Sequence, residues 1–165
     1  MNNFSITGAS QASYVECEEY FPLRVIFDPS IGENHFVGFY GGEDNLLEFT
    51  VNSNTNVITK FQIVTCKNFD IIGSNLDLPD YEMSGSIHLD APQHNNCDTF
   101  TMSVYADSIM IKLSANTTRR YYAMGQVLFG ISDDNEIVTL IITELSAREI
   151  AHSIFELQAD QTALS

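Results

Sequence analysis

The run from residue 121 to 157, YYAMGQVLFGISDDNEIVTLIITELSAREIAHSIFEL, narrows what this chain can fold into more than any other. Between Tyr121 and Ile131 apolar residues occupy both parities, with Tyr121, Ala123, Val127, Phe129 and Ile131 in one and Tyr122, Met124 and Leu128 in the other. Side chains alternate between the two faces of a strand, so a run apolar in both parities is expected of a strand covered on both sides. Ser132-Asp133-Asp134-Asn135 supplies turn chemistry, because short polar side chains bond their own backbone and tolerate left-handed geometry, and Glu136 to Thr143 returns as a β-branched run. The expectation is a hairpin at the centre of a sheet. Ser146 and Glu149 then have capping-box spacing, and Leu145 and Ile150 stand at the two positions of a hydrophobic staple. A helix starts there, with Ile150, Ile154 and Leu157 on the face that must be buried.

The rest of the chain reads as short strands. Tyr14 to Cys17 and Leu23 to Phe27 are strand candidates, with Pro22 marking an edge or a strand start, and His35 to Tyr40 is another. Residues 46 to 65 alternate on either side of the polar turn Asn52-Ser53-Asn54-Thr55-Asn56, so one face is buried and one wet. Phe100 to Tyr105 and Ile109 to Leu113 form a further hairpin. Residues 73 to 98 are the least regular part, with one short strand expected at Gly85 to Leu89; so long a loop in a compact domain is often functional. Hairpins without βαβ alternation predict an α+β domain, a mainly antiparallel curled β-sheet or β-sandwich with a C-terminal α-helix packed on the sheet. One domain over residues 1–165 is expected, with residues 1–11 and 158–165 as loosely ordered tails, residue 1–11 alternatively forming a late-pairing edge.

Charge bounds the function. There are 22 acidic against 7 basic residues, a formal net charge of -15. Nucleic acid and an anionic membrane surface both need clustered Lys and Arg, and here Arg119-Arg120 is the only adjacent pair. Such a field attracts a basic protein, although acidity also serves plain solubility. The N-terminal stretch lacks the pattern of a signal peptide and no stretch is apolar enough to span a bilayer, which predicts a cytoplasmic protein. Cys17, Cys66 and Cys97 are widely spaced, odd in number and without a Cys-x-x-Cys pair, so buried free thiols are expected in place of disulfides or a zinc ribbon.

Chemistry-bearing motifs are missing. His88, Asp90, His94, Cys97 and Asp98 are residue types that bind zinc, but Pro92 breaks helical spacing and a polar loop explains them as well; neither metal nor other cofactor is expected. No Gly-x-Ser-x-Gly elbow occurs, and Gly41-Gly42 leads into Glu43-Asp44, which would repel phosphate. Acidic clusters remain: Glu16, Glu18 and Glu19 near an edge, Asp77, Asp80 and Glu82 around Tyr81, and Asp90, each able to meet Lys or Arg of a partner, with Tyr81 as an aromatic anchor.

Leu47-Glu48-Phe49, the polar turn with Thr55, Val57-Ile58 and Phe61-Gln62-Ile63-Val64 form a hairpin that resembles one in small immunity proteins of bacterial polymorphic and contact-dependent growth inhibition toxin systems. The resemblance implies a single-domain protein that binds one toxin domain, often a nuclease with a basic cleft, and blocks it. Three functional expectations follow. The first is an immunity-like inhibitor of a basic toxin domain, an RNase or DNase, monomeric or weakly dimeric when free. The second is a small-ligand or metal-dependent enzyme using the 88–98 loop, and the third an accessory subunit that dimerises through an exposed sheet edge.

Overall fold

The computed structural model describes residues 3–8, 12–28 and 32–162. In chain order the strands are β1 (Asn3–Thr7), β2 (Tyr14–Glu16), β3 (Leu23–Ile26), β4 (Asn34–Tyr40), β5 (Leu46–Asn52), β6 (Ile58–Thr65), β7 (Phe69–Ile71) and β8 (Met83–Ser84). There follow β9 (Ser86–Asp90), β10 (His94–Asn96), β11 (Thr101–Val104), β12 (Ile109–Lys112), β13 (Arg120–Met124), β14 (Val127–Ile131) and β15 (Ile137–Ile142), and the helix α1 (Ala147–Thr162). They assemble into a six-stranded sheet ordered β10-β4-β5-β6-β3-β2, a seven-stranded sheet ordered β7-β11-β12-β15-β14-β13-β8, and the antiparallel pair β1-β9. Pairing is antiparallel except where β10, β7 and β8 join their sheets in parallel. The expected α+β architecture, mostly antiparallel with a C-terminal helix on the sheet, is what forms, as two packed layers.

The layers meet through alternate residues of each sheet. Phe49 of β5 stacks on Phe129 of β14 with ring centroids 6.2 Å apart, and Phe39 and Phe61 flank Phe49 at 5.5 and 5.9 Å. Phe49, Phe61 and Phe129 are completely buried, as are Leu47, Ile63, Ile111, Leu140 and Ile142 around them. Contacts at the rims fix how the sheets cross. The end where β12 stops and β15 starts lies near β4 and β10, since Leu113 and Ile137 share a cleft with Phe39 and Asn95. The opposite end, at Gln126, is bonded to Ser13 beside β2. Strands of one layer therefore run across those of the other, and chain segments turn corners between them. Residues 66–68 carry the chain from β6 into β7, and Gly85 carries it from β8 into β9. At that second corner a Cβ on Gly85 would lie 2.1 Å from the Thr7 carbonyl oxygen, so only glycine lets β1 close on it.

The helix begins where its sequence signals place it. The Glu149 N–H donates to Ser146 Oγ at 3.1 Å while Glu149 Oε1 accepts the Ser146 N–H at 2.9 Å, and both staple residues, Leu145 and Ile150, are buried. It packs against the start of β3, with His152 bonded to the Phe21 carbonyl and the Ser153 hydroxyl donating to that of Pro22. Residues 158–162, expected in a polar tail, form its last turns, where Gln161 donates to the Lys67 carbonyl; 163–165 lie outside the described residues. Residues 3–7, likewise placed in a tail or late-pairing edge, form β1, while 1, 2 and 9–11 are outside the description.

Two expectations need correction. Tyr121 to Ile131 is not one strand: the chain reverses at Gly125-Gln126, so that Ala123 opposes Leu128 and Met124 opposes Val127. Gly125 has φ +56, the left-handed geometry that a two-residue hairpin of this kind needs at its first central position. Apolar residues in both parities arise because each of the two strands is covered on both faces. The thiols also differ from one another, Cys66 being buried, Cys97 half-buried and Cys17 exposed.

Two predictions come from this packing. Gly85→Ala should lower stability by about 1–3 kcal/mol, the usual range for forcing extra carbon into a filled site, seen as a lower urea midpoint with unchanged slope; wild-type stability would mean that β1 does not close on this corner. The second concerns Asp160. One of its oxygens, Oδ2, is buried without a partner, while the carboxylate accepts hydrogen bonds from the Thr65 side chain and the Cys66 backbone. Burial raises its pKa above the ordinary 3.8 and the Glu156 carboxylate adds to the rise, against the pull of those hydrogen bonds and Lys67. Folding therefore favours the protonated form, and the stability this gives is full below pH 3.8 and lost as pH rises through the raised value. Asp160→Asn should melt higher than the wild type at pH 7, with the difference shrinking toward pH 3.8. A melting difference independent of pH would remove Asp160 as its cause.

Candidate functional site

Residues 72–82 leave β7 at one edge of the seven-stranded sheet and rejoin it as β8 at the other. Six strand spacings separate these edges, roughly 29 Å, and the segment reaches at most about 40 Å when fully extended. So little slack stretches it across the outer face as a strap. Gly73 turns the chain at φ +79. The Ile72 N–H donates to the Val104 carbonyl at 2.8 Å, the Ala106 N–H to that of Ser74 at 2.9 Å, and the Glu82 N–H to that of Tyr121 at 2.9 Å. Between these ties Leu76 packs on an outer apolar cluster of Ala123, Leu128 and Ile141, with Met110 and Tyr121 at its border. The strap is what buries the second face of β13, β14 and β15.

Most of its other residues face solvent, Pro79 being half-buried. Asp77, Leu78, Asp80, Tyr81 and Glu82 are all exposed, Leu78 and Tyr81 by 51% and 53%, so apolar and acidic side chains stand side by side on an anchored segment. Glu82 is partly compensated: the Tyr122 hydroxyl donates to its Oε2 at 3.3 Å, and the Arg120 guanidinium is hydrogen-bonded to Tyr122 in turn. Beside the strap lies a pocket of about 220 Å³, walled by Leu78, Pro79, Tyr81, Ala123 and Leu128 and bounded by Glu144. Glu144 itself has φ +56, a backbone geometry costly for a residue with a long side chain.

The eight residues singled out from the sequence fall in three separate places. Asp77, Asp80, Tyr81 and Glu82 share the strap. Glu16 and Glu18 lie at the β2 edge of the other layer, where both pair with Arg24 at 3.5 and 2.7 Å, so their charge is met within the chain. Glu19 is exposed beyond them, and Asp90 ends β9 opposite Asn3. Leu78, Pro79 and Glu144 escaped the sequence reading, yet Leu76-Asp77-Leu78 and Asp80-Tyr81-Glu82 alternate apolar and acidic residues, a period-two signal of extended chain.

The residues weighed as metal ligands are dispersed. His88 uses both ring nitrogens, Nδ1 to the Thr55 carbonyl at 2.8 Å and Nε2 to Thr7 Oγ1 at 3.1 Å. His94 stacks on Tyr40 with centroids 4.1 Å apart and bonds Asn96 Oδ1. Among the described residues no three His, Cys, Asp or Glu side chains are grouped to hold an ion. His94, Cys97 and Asp98 do line a cleft of about 450 Å³ with Glu136. Burial and the neighbouring Asp98 push the Cys97 thiol up to about 11, so it is protonated at neutral pH and a poor nucleophile. Burial likewise pushes Cys66 up to about 12. No helix among the described residues is long and apolar enough to cross a membrane. No protein-family model matches the sequence, and comparison with curated proteins gives no match.

Leu76 is the strap's apolar anchor, so Leu76→Ala should free its middle. Amide hydrogen exchange at residues 74–82 should accelerate at least tenfold, with about 1–2 kcal/mol lost in global stability for a side chain only partly buried. Exchange unchanged in the strap would show that its end ties alone hold it.

Proposed function

We propose that this protein is a cytoplasmic, acidic inhibitor of the immunity type, which binds a basic toxin domain of nuclease character and occludes its active-site cleft. The observation that supports this reading is the strap. It presents Asp77, Asp80 and Glu82 around Leu78 and Tyr81 on a backbone already ordered, and no Lys or Arg occurs anywhere between Lys67 and Lys112. Ordering in advance lowers the entropy lost on association, carboxylates speed encounter with a cationic cleft, and exposed aromatic and aliphatic side chains extend the lifetime of the complex. An edge-to-edge dimer has less to build on. The outermost strands of the two large sheets, β2, β10, β7 and β8, are three residues long or shorter, too short for a continuous ladder with another chain, which leaves only the five-residue pair β1-β9.

The test is recovery of partners from native lysate at low and moderate salt, then affinity measurement with the triple variant Asp77→Lys, Asp80→Lys, Glu82→Lys. A basic protein held in equimolar amount should bind the variant on the order of 100-fold more weakly, roughly 2.7 kcal/mol, and with a flatter salt dependence. Equal affinity and equal salt dependence would take the strap out of the interface.

A further inference from the structure

We infer that the pocket beside the strap is a receptor for one arginine side chain of a protein partner. This rests on the reading of the strap as an interaction surface and deepens it, by naming the group that enters. Four features select the occupant. The walls contributed by Leu78, Pro79, Ala123 and Leu128 are apolar and suit a chain of methylenes. The volume of about 220 Å³ is that of a single long side chain, below the usual size of a pocket for an organic cofactor or drug-sized ligand. Its charged wall residue is Glu144, and no Lys or Arg lines it among the described residues. Tyr81 adds an exposed aromatic ring, and a planar guanidinium both stacks on such a ring and pairs with a carboxylate, which an ammonium does less well.

The neighbourhood keeps the pocket in shape without filling it. Gln126 on its wall is held by the Ser13 hydroxyl and by its own bond to the Thr143 carbonyl, at 2.9 Å. The Thr143 hydroxyl returns a bond to the Gln126 carbonyl, also 2.9 Å. Glu144 makes no ion pair among the described residues, so an incoming guanidinium has no internal cation to displace. Asp77 and Asp80 on the strap add to the same negative field.

The experiment is an amide ¹H–¹⁵N titration of the full chain with Nα-acetyl-arginine methylamide, and with the citrulline and norleucine analogues as neutral controls of similar length. Saturable shifts are expected at residues 78–84, 123–126 and 143–144, with dissociation on the order of millimolar, as suits a fragment of few atoms, and at least fivefold tighter than citrulline. Glu144→Gln should weaken arginine about fivefold and leave citrulline unchanged, while Asp133→Asn, at a distant turn, changes neither. Shifts scattered over the acidic surface without saturation, or citrulline equal to arginine, would overturn the pocket assignment. That outcome is separable from failure of the inhibitor reading, because a recovered partner whose affinity falls with the strap triple variant but not with Glu144→Gln sustains the strap and rejects the pocket. Saturable binding in the titration, with no basic partner from the lysate, would do the reverse.

Discussion

Everything on the outer side of this molecule depends on the burial of β14 and β15 from both faces. Val127 to Ile131 and Ile137 to Ile142 are buried at every position, so the six-stranded sheet satisfies only half of their apolar surface. The other half, from Leu128 and Ile141 with Ala123 of β13, must be covered by something else. In an α/β fold helices would do this, but the single helix described is spent at the other layer, against β3. A stretched length of chain does it instead, and because such a segment is one residue thick, whatever does not point into the sheet points into water. The strap's exposure and its anchoring thus have a common cause.

That cause also shows why some of the fold could be read from the sequence and some could not. The capping box at Ser146 and the staple at Leu145 are local, involving residues three to five apart; the box closes as its spacing called for, and both staple residues are buried. The hairpin of β5 and β6 is equally local, and its polar turn is unmistakable: Asn52 Oδ1 accepts the N–H groups of Asn54 and Thr55. At 120–131 the turn is Gly125-Gln126 alone, within an apolar run, and two-sided burial had erased the alternation that would have exposed a reversal. The crossing of the sheets and the path of the strap depend on pairs such as Ala106 with Ser74 and Glu82 with Tyr121. Nothing in a window of ten or fifteen residues carries that information.

The candidate site divides in the same way. That Asp77, Asp80, Tyr81 and Glu82 share a surface could be read because they are neighbours in sequence. That Glu16 and Glu18 are tied to Arg24 could not, because the tie runs between β2 and β3 and depends on their register, in which Glu16 stands opposite Arg24. Arg24 also donates to Gln62 Oε1 and lies over the Phe21 ring, 5.1 Å from its centroid, so the two glutamates meet a cation fixed by two other contacts. An acidic cluster counted from sequence overstates the charge available to a partner wherever the fold supplies such a cation.

Charge of one sign is destabilising to a compact state, so its distribution matters as much as its sum. Ion pairs among the described residues consume all or part of Glu16, Glu18, Asp44 and Asp133, and three of the chain's seven basic residues. The strap lies in the stretch from Lys67 to Lys112 that contains no cation, and the help it receives, from Arg120 through Tyr122, reaches Glu82 only. Asp77 and Asp80 are left facing solvent beside Leu78 and Tyr81. Carboxylates and exposed apolar side chains thus share one segment, tied to the sheet near both ends and anchored in its middle by Leu76.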